Sequence, residues 1–563
     1  MRRSTAIVLI VSLTVIVLAG ADAAFLLARR IHGSPGKTAA AFLGAWQRQD
    51  YGAMQAQVLH PVPDGFTAAY TRMRSDLHVT AASFTPQPAV DKGDRATVAF
   101  QAKLTLQGFG AWSYQGSLDL AVKDKRWWVD WSPAAIHPQL QAGERFRLVR
   151  SWPERAPILA RDGSRLSNGP DGGLAGPASL GPLLGTVGDA TADDLKRLGS
   201  PYQNGDRTGH GGLQQAYERQ LAGAPSGEIR LVDAGGNTAA TVATFPGKDG
   251  VPLQTTLDAT VQAAGEAALA AAGDKPAALV AIQPSTGELR AVVNLPAFGF
   301  DRALLGRYPP GSTFKVITAA ALLEGGLSPD DQVSCPASAT IGGKTFKNFE
   351  NEKAGQINFA TAFAMSCNTA FVQLAAQHLS GSELAAAARQ FGFGEDLSPG
   401  LPAVRGQYPA PSDRAELAAS AFGQGRVLAS PLQMATVAAA VADGTWRPPH
   451  LVSAASGNGD GNGVLSHATP KPLDQGMVAT LRTLMRQVVT SGTAAGANFR
   501  GDVFGKTGTA EFGSGNPPPT HAWFIGYRDD LAFAVIVEGG GVGGKVAAPI
   551  AADFLRRLGS TGG

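Results

Sequence analysis

Ser312 and Lys315 stand three residues apart at the start of an apolar run, PPGSTFKVITAAALLEGG, residues 309–326. Residues i and i+3 of a helix share a face, so the hydroxyl and the amine point the same way. A lysine amine can take a serine's proton only when it is neutral, and burial or a second cation nearby pushes it towards that state. A serine at a helix N-terminus also has free backbone N–H groups beside it, which suit an oxyanion. A second pair, Ser366 and Asn368, lies in AMSCNTAF. In an extended segment residues two apart face one side, so a hydroxyl and an amide would face a cleft together while Cys367 turns inward. A third group, Lys506, Thr507, Gly508 and Thr509, follows apolar Val503 and Phe504. It predicts a strand whose glycine permits close approach of a ligand to the backbone, with Lys506 as a second cation and two threonine hydroxyls beside it. Each group alone also has an ordinary reading. Ser312 can cap a helix, Ser366 and Asn368 can form a turn, and Lys506 can keep an edge strand from pairing.

Together they form S-x-x-K, S-x-N and K-T-G in that order, the second serine 54 residues after the first and the second lysine 140 residues after that. This set resembles the motifs of the penicillin-binding proteins and serine β-lactamases. PPGSTFK, KTGTAE, GQGRVLASPLQMATVAAAVADG (423–444) and HAWFIGY (521–527) are similar to the penicillin-binding transpeptidases. RAPILARDGSRL (155–166) and GGLQQAYERQLAG (211–223) resemble the non-catalytic pedestal of class B enzymes, and residues 35–140 resemble an NTF2-like N-terminal domain. The resemblance implies a peptidoglycan D,D-transpeptidase acting on D-Ala-D-Ala stem peptides, acylated by β-lactams, with a D,D-carboxypeptidase side activity open to it. It further implies Ser312 as nucleophile, Lys315 as base, Ser366 as proton relay and Asn368 as a substrate-amide contact. Lys506 would stay charged while keeping Lys315 neutral. Thr507 and Thr509 would join Lys506 on the substrate carboxylate, and the strand's Gly508 would lie at the same site. No metal or organic cofactor is implied. A wall-synthesis glycosyltransferase is the implied protein partner, since no glycosyltransferase segment stands between residue 30 and the pedestal.

Two other readings compete. A β-lactamase needs a group that activates water for deacylation; the nearby candidate is Glu416 in DRAELAAS, which lacks the E-x-x-L-N context of class A enzymes. A non-enzymatic β-lactam sensor or scaffold would sit awkwardly with three intact motifs.

The elements that must position these residues follow from patterning. Residues 36–60 read as helical, and 95–131 as strands alternating apolar and polar. This predicts a small α+β domain over 35–140. Residues 141–250, interrupted by the Gly/Pro-rich stretch 167–185, predict a pedestal. Residues 251–560 carry an alanine-rich helix, a hairpin around Pro284-Ser285-Thr286-Gly287, two C-terminal strands and a last helix. That order predicts a mixed α/β transpeptidase domain, an antiparallel sheet flanked by helices.

The chain's 563 residues carry 48 basic and 45 acidic side chains, and the balance argues against a nucleic-acid partner. Arg2 and Arg3 precede an apolar stretch that predicts a transmembrane anchor within residues 1–30, with the catalytic part on the extracytoplasmic side of the cell membrane. A cleaved signal peptide ending near Ala21 is the alternative. Cys335 and Cys367 are the two cysteines; in an exported protein they could pair or remain buried thiols.

Overall fold

The alternation in residues 79–129 produces antiparallel strands whose apolar side chains fall on one face. In the computed structural model, which describes residues 31–168, 172–452 and 465–559, strands Val79–Pro86, Arg95–Leu106, Gly110–Lys123 and Arg126–Val129 pair in that order. Along Arg95–Leu106 every second residue is buried. Helices Pro35–Gln47 and Phe66–Asp76 supply the aromatics for that face. Trp46 stacks on Phe84 at 4.0 Å between ring centroids, with Phe42, Tyr70 and Phe100 around them. Ser34 caps the first helix by accepting from the Lys37 N–H, and Pro35 occupies its first position. The anchor expected within residues 1–30 lies outside the described residues; among those described, no helix is long and apolar enough to cross a membrane.

Packing divides the chain into two units, and residues 141–250 contribute to both. Strands Arg145–Ser151, Ser226–Val232 and Thr238–Phe245 form a sheet of the first unit. Residues 154–190 and 205–223 belong to the second. There the two pedestal stretches meet through a buried ion pair: Arg155 donates to Glu218 at 2.8 Å and to the Gln214 side chain at 2.8 Å. The Gly/Pro-rich stretch, expected as a loop, includes a turn at Ala178–Leu180 and a short helix at Gly181–Leu184.

The second unit is built on a five-stranded antiparallel sheet. Its labelled elements in chain order are α1 (Ala259–Leu269), β1 (Ala277–Ile282), β2 (Leu289–Leu295), α2 (Lys315–Glu324), α3 (Phe359–Ala364), α4 (Asn368–His378), α5 (Pro431–Asp443), α6 (Gln475–Thr490), β3 (Val503–Glu511), β4 (Thr520–Arg528), β5 (Leu531–Val537) and α7 (Ala547–Gly559). The sheet order is β2-β1-β5-β4-β3. β1 is buried at every position, because α1 and α7 cover one face and α5 the other. The expected hairpin, the C-terminal strand pair and the last helix are all present. β3, which carries Lys506 to Thr509, is a sheet edge, and α6 packs against it. α2 is buried along Lys315 to Leu322, polar Lys315 and Thr318 included.

Candidate active site

Ser312 does not sit on an α-helical turn. Residues Gly311–Phe314 form a 3₁₀ turn, and Lys315 is the first residue of α2. The shared face survives, because i and i+3 eclipse in a 3₁₀ turn. The glycines and prolines around Ser312 have defined work. Gly311 adopts φ 54°, and a Cβ there would lie 2.9 Å from Ala510 Cβ and 3.0 Å from Thr509 O. Its N–H donates to Gly423 O at 2.9 Å. Trp523 Nε1 donates to Pro309 O at 3.1 Å. Gly508, expected to admit a ligand, instead admits this turn: a Cβ on it would meet Thr313 Cγ2 at 2.9 Å and Pro310 O at 3.1 Å. The nucleophile's turn is thus pressed on to the K-T-G strand, and Ser312 is 9% exposed.

Ser366 and Asn368 reach the same side by a route the extended-segment reading missed. Ser366 is a left-handed residue, φ 62°, between α3 and α4, and Asn368 opens α4 behind its N-cap, Cys367. A serine there is held against its preference, a kind of strain that clusters at functional sites. Cys367 faces inward, as expected, and is joined to Cys335 in a disulfide with a Cα–Cα distance of 6.2 Å. Asn348, buried beside it, donates to Pro336 O and Glu352 O at 2.9 and 2.8 Å and accepts the Thr369 N–H at 3.0 Å. The bridge and this amide brace the first turn of α4. Asn368 Nδ2 donates to Lys347 O at 3.1 Å, which orients its carbonyl oxygen towards Lys315.

The two lysines converge on Ser366. Lys315 Nζ donates to Ser366 O at 2.6 Å and to Asn368 Oδ1 at 2.7 Å, and lies 3.2 Å from Ser366 Oγ. Lys506 Nζ donates to Ser366 Oγ at 2.9 Å and to Thr507 O at 3.0 Å. Both lysines are fully buried. Burial, and then repulsion from Lys506, holds the Lys315 pKa well below the usual lysine range. Burial alone lowers Lys506 to about 7. The motif reading has Lys506 charged; burial of its ammonium opposes that charge.

The oxygens around Lys315 Nζ, Ser366 O, Asn368 Oδ1 and Ser366 Oγ, can all accept from it. A neutral amine has two N–H donors and one lone pair. Ser366 O and Asn368 Oδ1 are acceptors only and take the two protons. Ser366 Oγ accepts from Lys506 at 2.9 Å and lies 3.2 Å from Lys315 Nζ, so one hydroxyl is shared by both amines. Among the described residues the Ser312 hydroxyl has no hydrogen-bond partner, while Lys315 is turned to the S-x-N turn.

Thr507 is 5% exposed, and its hydroxyl lies 2.5 Å from that of Thr493. Thr509 Oγ1 accepts the Gly543 N–H at 3.2 Å. Thr493 and Asn348 were not among the expected residues. A threonine in the small-residue stretch SGTAAG was the only signal for the first, and none marked the second. Glu416 caps its own neighbourhood. Its carboxylate accepts from the Ser412 N–H and hydroxyl at 2.6 and 2.7 Å and from Arg426. These bonds, Arg426 first, pull it down to about 2, the opposite of what a water-activating base needs.

Comparison with known proteins agrees with this geometry. The family described as penicillin binding protein transpeptidase domain matches residues 277–556. The NTF2-like N-terminal transpeptidase domain matches 34–144, and the penicillin-binding protein dimerisation domain matches 176–255. The peptidoglycan D,D-transpeptidase PbpA of Mycolicibacterium smegmatis is 34% identical over 363 residues, 54% of this chain and 72% of that protein. PBP2 of Pseudomonas aeruginosa, solved with WCK 5153, has a TM-score of 0.60 at 25% identity, covering 73% of this chain and 96% of that one. PBP2 of Helicobacter pylori, solved in complex with MreC, shares the fold with a TM-score of 0.64 at 19% identity, covering 74% of this chain and 99% of that one. With these three domains in this order, and a D,D-transpeptidase relative matched over most of its length, the chain belongs to the class B penicillin-binding proteins.

Proposed function

We propose that this protein cross-links peptidoglycan stem peptides through an acyl-enzyme on Ser312. The observation that carries the proposal is the pair of buried amines sharing the Ser366 hydroxyl, one of them three residues from Ser312. Ser312 Oγ attacks the carbonyl between two D-alanines, and its proton passes to the lone pair of Lys315. Catalytic contacts of this kind tighten when substrate binds. The backbone N–H groups of Ser312 and Thr509 hold the oxyanion. Lys315 then passes the proton through Ser366 Oγ to the departing D-alanine amine, as the C–N bond breaks. A second stem peptide's amine attacks the ester and surrenders its proton along the reverse path, which frees Ser312. Water in place of the amine would give a D,D-carboxypeptidase side reaction. Lys506, Thr507 and Thr509 receive the terminal carboxylate, whose charge raises Lys506 back towards its protonated form. Asn368 holds the substrate amide.

Residues 251–560 carry this chemistry, and the pedestal and the NTF2-like domain precede them in the chain. The apolar N-terminal stretch anchors the chain so that the site faces the extracytoplasmic wall. Cross-linking acts on glycan strands already made, so a glycosyltransferase is the partner the reaction calls for. The Helicobacter PBP2, which has this fold, was solved with a protein partner, MreC.

β-Lactams mimic the same acyl donor. Glu416, saturated by its donors, does not serve as a base for hydrolysis of the acyl-enzyme. A chromogenic cephalosporin is expected to give one stoichiometric burst of ring opening and no sustained turnover. Fast continuous turnover would identify a β-lactamase instead.

A further inference from the structure

We infer that Thr493 is a positioning residue that sets the direction of the Thr507 hydroxyl proton, so that Thr507 donates to the carboxylate of the acyl donor. The inference rests on the proposed role of Thr507 as a carboxylate contact. Three observations place Thr493 at a junction of the site. Its N–H donates at 3.1 Å to Ala364 O, at the end of α3 and two residues before Ser366. Its hydroxyl meets that of Thr507 at 2.5 Å. Its carbonyl faces Gly544, where a Cβ would lie 2.3 Å from it. The loop after α6 is thereby tied to the S-x-N turn, to the K-T-G strand and to the glycine stretch before α7.

The hydroxyl pair admits two proton arrangements. In one, Thr507 donates to Thr493 and presents only lone pairs elsewhere. In the other, Thr493 donates to Thr507 and the Thr507 proton points away from it. A carboxylate accepts and never donates, so the first arrangement repels it and the second binds it. The second also forms a chain of like-directed hydrogen bonds, Thr493 to Thr507 to carboxylate, in which each bond polarises the next. Thr507 is nearly buried and has few alternatives, whereas Thr493 is exposed, so its side chain can be changed with little effect on packing.

The test uses benzylpenicillin and its methyl ester, which lacks the carboxylate charge, with acylation of Ser312 followed by intact-protein mass. Thr493→Val is expected to slow acylation by the acid about fivefold, the worth of a typical neutral hydrogen bond, and to leave the ester rate essentially unchanged. Thr493→Ser restores the acid rate. In a Thr507→Val background, adding Thr493→Val has no further effect, because the two residues act as a unit. Equal slowing of acid and ester, no slowing of either, or additive losses in the double variant would overturn the inference. Parent protein that is not labelled on Ser312 would overturn the proposed function and this inference with it. Parent protein labelled equally fast by acid and ester would remove the carboxylate role of Thr507, and with it the role of Thr493, while leaving the acyl-enzyme standing.

Discussion

Lys315→Arg is expected to slow acylation of Ser312 by about a thousandfold, within the range a positioned general base contributes. The reason is electronic before it is steric. A lysine amine in a dry site can release its proton and offer a lone pair; a guanidinium does not deprotonate in a protein. Here the site is built to make lysine neutral. α2 is buried around it and Lys506 stands close enough to repel it, and its two nearest partners, oxygens at 2.6 and 2.7 Å, can be served by the two N–H donors of a neutral amine. Arginine would keep its charge at a desolvation cost and would displace Ser366 and Asn368. Second-order acylation rates with benzylpenicillin measure the loss, and a near-normal rate in the variant would remove Lys315 from the role of base.

Lys506→Met is expected to cost about a hundredfold, roughly the value of one charge-assisted hydrogen bond to the carboxylate, and to change the pH profile in a defined way. Lys506 is lowered to about 7 by burial, so its charge is present below that pH and lost above it. Lys315 is held well below the usual lysine range by burial and then by repulsion from Lys506. The parent protein's acylation rate should therefore fall on the acid side as Lys315 takes up a proton. It should fall again above about 7 as Lys506 gives one up. A bell of this kind reports the free enzyme. Methionine removes the alkaline limb. It also moves the acid limb to higher pH, because Lys315 no longer feels a neighbouring cation. An alkaline limb that survives in the variant would assign that ionisation to another group.

Much of the site could be read before any coordinates. Three short motifs in order, each in a credible local setting, pointed to the residues that now surround Ser366. The hairpin, the K-T-G strand and the buried helix followed from apolar patterning, because each carries many apolar residues whose burial favours one arrangement. What could not be read depends on contacts between distant segments. Ser366 takes a left-handed conformation because α3 and α4 are fixed on either side of it, and nothing in its neighbours announces that. The Cys335–Cys367 bridge and the Asn348 amide brace α4 from a segment about twenty to thirty residues earlier. Gly508 illustrates the same limit: a glycine that permits close approach is easy to recognise, but what approaches it is set by tertiary packing, here Thr313 and Pro310. The complete burial of Lys506, which opposes the charge its motif implies, likewise depends on packing around β3. The segment 141–250 read as one pedestal, yet its strands near 145–151 and 226–245 pack with the first unit and its Arg155–Glu218 pair lies in the second.

The most direct test of the central claim is the intact mass of the protein after incubation with benzylpenicillin, with and without Ser312. The account predicts one covalent adduct of the whole opened penicillin on the parent protein and none on folded Ser312→Ala. An adduct that persists on Ser312→Ala, or a parent protein that takes up none, would contradict it.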